Sequence, residues 1–193
     1  MQVLVIMGKR INVTLCAICL LLGFLGSCGH EHFVRADAQI GGIKRIAVLP
    51  FENFTSDEYA GEKIRRLIIT ELLSKRFDVT EPGDITQFFK ELKIKSVSSM
   101  KLIEIQNAGR ALNAEAVMLG SVEAFGLSRG ISVTYPEVTV NLRLVEVSSG
   151  NVIWSMRHTS GAPDFWTRHF GSEGLSISET AKKVVKEAVG TLL

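Results

Sequence analysis

The chain has 193 residues, 46% of them hydrophobic, with 22 basic and 20 acidic side chains, which is enough for one domain with a real core plus a targeting segment. Lys9 and Arg10 are the only charged residues before Cys28, so from Cys28 onward twenty basic residues meet twenty acidic ones. That neutral balance carries no electrostatic footprint for nucleic acid, and none is expected as a partner.

Residues 1–27 have the layout of a secretory signal: the basic pair Lys9-Arg10, an apolar run over 11–25, and small residues before a cysteine. The run is short for a membrane span, which takes about 20 apolar residues. Met7-Gly8-Lys9-Arg10 would make a more ordinary basic opening than Met1, so either methionine can be the start. Leu25-Gly26-Ser27-Cys28 places a leucine three before the cysteine and a small residue directly before it. Cys16 and Cys19 fall in the leader and no cysteine follows Cys28, so the remainder has no internal disulfide option. This arrangement resembles the lipobox of bacterial lipoproteins, and the resemblance implies diacylglycerol and an N-acyl chain on Cys28, with no other cofactor. Gly29 follows in place of the aspartate that commonly retains such proteins in the inner membrane, which implies the periplasmic face of the outer membrane.

Residues 28–43 are polar, aperiodic and end in Gly41-Gly42, as suits a flexible tether from the lipidated cysteine. His30-Glu31-His32 offers at most two ligands on a flexible tether, where zinc takes three or four, so no metal is expected. From Lys44 the pattern becomes orderly. Ile46, Ala47, Val48 and Leu49 form a short apolar run consistent with a strand buried on both faces. Thr55 and Glu58 have capping-box spacing, and the helix after them puts Ala60, Ile64, Leu67, Ile68 and Leu72 on one face and ends near Lys75-Arg76. Residues 77–80 read as a second strand.

Pro82-Gly83 turns the chain into Asp84, with Gln87 as a second capping pair and Ile85, Phe88, Phe89 and Leu92 sharing a helical face. A third helix is expected from near Ser99 to Asn113, with Leu102, Ile105, Ala108 and Leu112 inward. Three longer strands follow over 116–127, 137–147 and 152–158, the last two joined as a hairpin through Ser148-Ser149-Gly150-Asn151. In the second of them Val138, Val140, Leu142 and Leu144 alternate with Thr139, Asn141 and Arg143, so one face is packed and the other more polar. The last helix has Ser176 capping with Glu179, and a stripe of Ile177, Ala181, Val184, Val185, Ala188 and Leu192. These segments make a single α/β (α+β) domain over 44–193, with a mixed, roughly five-stranded sheet covered by helices.

IAVLPFEN at 46–53, AVMLGSVEAF at 116–125 and VNLRLVEVSSGNVIWS at 140–155, in that order with helices between, resemble the curli-secretion lipoprotein family, CsgG, and its smaller relatives such as the exopolysaccharide-export lipoprotein PelC. The resemblance implies a periplasmic α/β core, assembly as homo-oligomeric rings at the outer membrane, partnership with other envelope export proteins, and no catalytic residue. Barrel-forming relatives add membrane hairpins of roughly 9 to 11 residues per strand. Between Leu127 and Glu137 there is only SRGISVTYP, too short for such an addition, so a small ring against the membrane is expected rather than a transmembrane barrel.

One further segment draws attention. Residues 163–170 concentrate Phe165, Trp166 and Phe170 beside Arg168 and His169, a mixture suited to a membrane or subunit contact, or to capping the core after the last strand. Trp154 is expected in the core, and Glu52 with Asn53 in the turn after the first strand. Nothing in the chain has the form of a phosphate loop or a nucleophile elbow, and His158 and His169 stand alone, so no enzyme is expected. The functional expectation is a ring-forming, lipid-anchored export component, with a monomeric tethered binding or adaptor module as the alternative.

Overall fold

Among the described residues seven strands form one mixed sheet in the spatial order His32–Val34, Val152–Ser160, Thr134–Glu146, Ala116–Arg129, Arg45–Val48 and Asp78–Val79, with Glu52–Asn53 alongside Ala116–Arg129. The computed structural model describes residues 32–38, 40–94, 96–129, 134–161 and 175–192. Cys28, Phe165, Trp166, Arg168, His169 and Phe170 lie outside the described residues. The strands are β1 (His32–Val34), β2 (Arg45–Val48), β3 (Glu52–Asn53), β4 (Asp78–Val79), β5 (Ala116–Arg129), β6 (Thr134–Glu146) and β7 (Val152–Ser160). The helices are α1 (Ala60–Ser74), α2 (Pro82–Glu91), α3 (Leu102–Ala111) and α4 (Ile177–Gly190).

The expected mixed α/β sheet is present, and β1 and β3 are the strands that bring it from five to seven. β2, β3, β4 and β5 pair in parallel, whereas β5, β6, β7 and β1 pair antiparallel. The apolar run of β2 works as its composition requires. Ile46 and Val48 enter one core cluster while Ala47 and Leu49 enter the other. A strand with cores on both sides has no polar alternation to show.

The first cluster lies under α1 and α4. Ile64, Ile68 and Leu72 from α1 and Ala181, Val184, Val185 and Ala188 from α4 meet Met118, Val140, Leu142 and Leu144 of the sheet. Arg65 of α1 is buried, and its Nε donates to the Val48 carbonyl at 2.9 Å, tying the helix to the end of β2. The second cluster is smaller. Ile85 of α2 and Ile105 of α3 pack on Leu49, Val117, Leu119 and Val145.

Several local expectations change. Within the span 28–43 read as a tether, His32–Val34 pair with β7 and both Ile40 and Ile43 are buried, apolar surface that a free segment would leave in water. Thr55 and Glu58 do not cap α1, which starts at Ala60 with Tyr59 as its first flanking residue. The Asn53 side chain takes that segment instead: its Nδ2 donates to Asp57 O at 2.7 Å, and its Oδ1 accepts from Thr55 N and from the Thr55 hydroxyl. Such local side-chain bonding competes with a helix start. Asp84 and Gln87 likewise form no capping pair, since α2 begins at Pro82, whose fixed φ suits the first helical position, and Gln87 Nε2 donates to Glu91 instead. Leu102 and Leu92 are exposed rather than inward, each sitting at or beyond a helix end where the stripe has run off the sheet.

The stretch SRGISVTYP is mostly strand. Ser128 pairs with Tyr135 and Arg129 with Thr134, so only residues 130–133 separate β5 from β6. By contrast, the capping box of Ser176 and Glu179 is formed as expected. The buried stripe of α4 is also formed, continuing through Leu192 just beyond its end.

Candidate functional surface

Below α3 the described residues cover the second face of the sheet only in part. There β5 and β6 turn Ser121, Glu123, Asn141 and Arg143 outward, on the opposite side from Val122, Val140, Leu142 and Leu144. Period-two alternation sets this split, with apolar residues on the packed face and polar ones on the other. The pairings Asn141 with Arg157 and Arg143 with Ser155 extend the polar row onto β7. The Arg157 guanidinium is held by Glu123, at 2.9 Å from Nε and 2.8 Å from Nη2.

A cavity of about 350 Å³ lies where α3 and the 3-10 segment Val97–Ser99 meet this row. Its apolar wall includes Met100, Ile105, Leu119 and Val145, and its polar wall Glu52, Ser121, Asn141 and Arg143. A second, more open hollow of about 410 Å³ runs from Asn141 and Arg157 to His32 and Phe33 on β1. Mixed apolar and paired-charge surfaces of this kind suit contact with another macromolecule better than covalent chemistry. Among the described residues no three His, Cys, Asp or Glu side chains gather as metal ligands. No described helix is long and apolar enough to cross a membrane.

The residues singled out in the sequence fall into separate places. Trp154 is fully buried and donates from Nε1 to the Thr191 hydroxyl at 3.2 Å, as a core tryptophan should. His158 is buried on β7 and pairs through Nε2 with Glu187 of α4 at 2.7 Å, a tie between strand and helix. Asn53 shapes the turn before α1, as anticipated, whereas Glu52 turns into the 350 Å³ cavity. Asn141 and Arg143 lie on the polar face that their alternation indicates. That this face forms a hollow with Glu52 had no signal in the sequence, because the two segments are far apart along the chain.

Charge is organised locally. The Lys63 ammonium, 2.7 Å from Asp57, holds that carboxyl below its ordinary range, and Arg35 does the same to Asp37. At the start of α4 the Ser176 N–H, bonded to the Glu179 carboxylate at 2.9 Å, lowers that group too.

The family model for the curli production assembly/transport component CsgG matches residues 38–190. No curated protein matches the chain in sequence. Among solved structures, the chain is similar to the PelC dodecamer from Paraburkholderia phytofirmans, with 20% identity, 85% of this chain and 96% of that one covered, and a TM-score of 0.59. It is also similar to lipoprotein GNA1162 from Neisseria meningitidis, with 18% identity, coverage of 77% and 97%, and a TM-score of 0.57. At these identities the likeness is one of fold.

Proposed function

Because the chain belongs to the CsgG family of curli production assembly/transport components, we propose that it is a lipid-anchored envelope protein that assembles as a homo-oligomeric ring and serves a secretion or export system. The observation that carries this reading is the family match across residues 38–190, directly downstream of Leu25-Gly26-Ser27-Cys28. Acyl chains on Cys28 hold the protein at the periplasmic face of the outer membrane. Each buried CH₂ contributes about 0.8 kcal/mol, so two or three chains anchor firmly where one would not. No catalytic step, metal or further cofactor is part of this proposal.

The PelC dodecamer has this fold, which supports a ring here. In such a ring the half-covered second face, with Arg143, Asn141 and the Arg157–Glu123 pair, would meet a neighbouring subunit or an export partner. Phe165, Trp166, Arg168 and Phe170 would add a membrane or subunit contact.

The decisive measurement is the mass of the detergent-solubilised, lipidated protein by light scattering, with the detergent contribution subtracted. A large, defined multiple of the protomer mass is expected. A monomer across a wide concentration range would replace the ring with a tethered adaptor module. Cys28→Ala should release the protein from the membrane fraction, and normal retention would sink the anchor.

A further inference from the structure

Two opposite charges stand unmatched in the hollow of about 350 Å³ beside α3. β3 pairs with β5 and β5 with β6, so Glu52, Ser121 and Asn141 form one row across three strands and project from the same face. Leu119 and Arg143, themselves paired, form the next row, two residues along β5 and β6. Val97, Met100 and Ile105, from α3 and the residues before it, supply the apolar wall.

The same face shows what a matched charge looks like. β5 carries a bulge between Val122 and Ala124, and the Glu123 carboxylate there holds Arg157 at 2.8 Å. Arg143 and Glu52 line one hollow, yet neither has an ion pair or a side-chain hydrogen bond among the described residues. The Ser121 hydroxyl and the Asn141 amide between them have no side-chain partner there either. Both can donate and accept, as a peptide backbone beside them requires. A group that enters strips water from these charges and has to replace it, which calls for a carboxylate at Arg143 and a basic group at Glu52.

The spacing selects the class of molecule. Glu52 and Asn141 lie two strand spacings apart, about 10 Å, and Arg143 is two residues beyond Asn141, about 7 Å, so the diagonal from Glu52 to Arg143 spans about 12 Å between Cα atoms. An extended peptide sends every second side chain to one side, and three such side chains cover about 13 Å. The two lengths agree. With its outer side chains on Arg143 and Glu52, the middle one falls between Ser121 and Leu119, against the apolar wall. The volume is at the lower end of the range of about 300–1,000 Å³ found for small-ligand sites, room for a few residues and not for a folded domain.

We infer that this hollow binds an extended peptide segment in which acidic, apolar and basic side chains alternate with residues facing away, the acid on Arg143 and the base on Glu52. The inference rests on the reading of the half-covered face as a partner contact and names the partner. Arg143 is exposed at the rim, so salt weakens the binding by screening.

The probes are peptides Asp-Ser-Leu-Ser-Lys and Lys-Ser-Leu-Ser-Asp, one for each strand direction, carrying an amino-terminal rhodamine and a carboxy-terminal amide. Fluorescence polarisation measures their binding to the detergent-solubilised, lipidated full chain, on the sample whose mass light scattering reports. One of the two should bind several-fold more tightly than the versions with serine in place of either charge. Arg143→Glu should abolish that preference and favour Lys-Ser-Leu-Ser-Lys several-fold, and Glu52→Lys should favour Asp-Ser-Leu-Ser-Asp, with circular dichroism unchanged in both. Exchanged preferences of this kind would not come from a merely structural role. Equal binding of all the peptides, or preferences that neither substitution moves, overturns the site. A monomer that binds the mixed peptide keeps the site and removes the ring, whereas a defined ring that binds no peptide removes the site and leaves the ring standing. Binding that appears only once the ring is diluted into protomers assigns the hollow to a second copy of the chain and overturns the peptide.

Discussion

Placing a methyl group on Gly109 should destabilise the protein, and trimming Val147 should rescue it. Gly109 lies in α3 where the helix meets the sheet, and a Cβ there would stand 2.2 Å from Val147 Cγ2 and 3.0 Å from Val117 Cγ2. Both neighbours are β-branched and stiff at χ1, so neither can swing clear cheaply. Overpacking of this kind costs about 1–3 kcal/mol, against which alanine in a helix recovers about 1 kcal/mol relative to glycine. The clash involves two stiff side chains and one contact far inside van der Waals distance, so Gly109→Ala should lose about 1–2 kcal/mol net. Val147→Ala alone removes two buried methyls and should cost about 2 kcal/mol with its cavity. In the double variant the methyl added at position 109 occupies that space, so the two losses should fall short of additivity by about 2 kcal/mol. Urea unfolding of the Cys28→Ala chain, followed by circular dichroism at one fixed protein concentration, measures the cycle. A Gly109→Ala protein more stable than its parent, or two losses that simply add, would refute the close approach of α3 to β5 and to Val147 just after β6.

Leu142→Ala should cost about 2–5 kcal/mol because Leu142 is fully buried in the main core, whereas Leu127→Ala should change unfolding by less than about 0.5 kcal/mol. Ser176→Ala removes the α4 cap and should cost about 1 kcal/mol in the same urea assay. The Glu179 carboxyl is held low by the Ser176 N–H, so its contribution is in full force above the ordinary glutamate range and fades as pH falls through its lowered value. Glu179→Gln should therefore narrow its stability deficit as pH falls, and a deficit independent of pH would contradict the cap. Arg65→Ala leaves the buried Val48 carbonyl without its side-chain donor and should cost about 1–3 kcal/mol, visible as a lower urea midpoint.

Much of the framework was legible because periodicity reports burial directly. The stripe of α4, the two-sided run of β2 and the alternation in β6 each name their packed residues without reference to any partner. The Ser176–Glu179 cap was legible too, since donor and acceptor lie three residues apart and need nothing distant. Thr55–Glu58 and Asp84–Gln87 have the same spacing and failed. Asn53 was free to bond the first segment, and Pro82 started the second helix early, competitions that spacing alone does not display.

The sequence by itself determined the order of five of the strands and the four helices, the neutral charge of the chain after Cys28, and the likeness to the CsgG family, because local pattern and composition are properties of neighbouring residues. Tertiary structure decided that residues 32–34 join β7 as an edge strand. It also decided that Glu52, Asn141 and Arg143 share one hollow. These are matters of which edges and faces meet across a sheet. Backbone pairing and shared burial set them between residues up to a hundred or more positions apart, a separation over which no periodicity is carried.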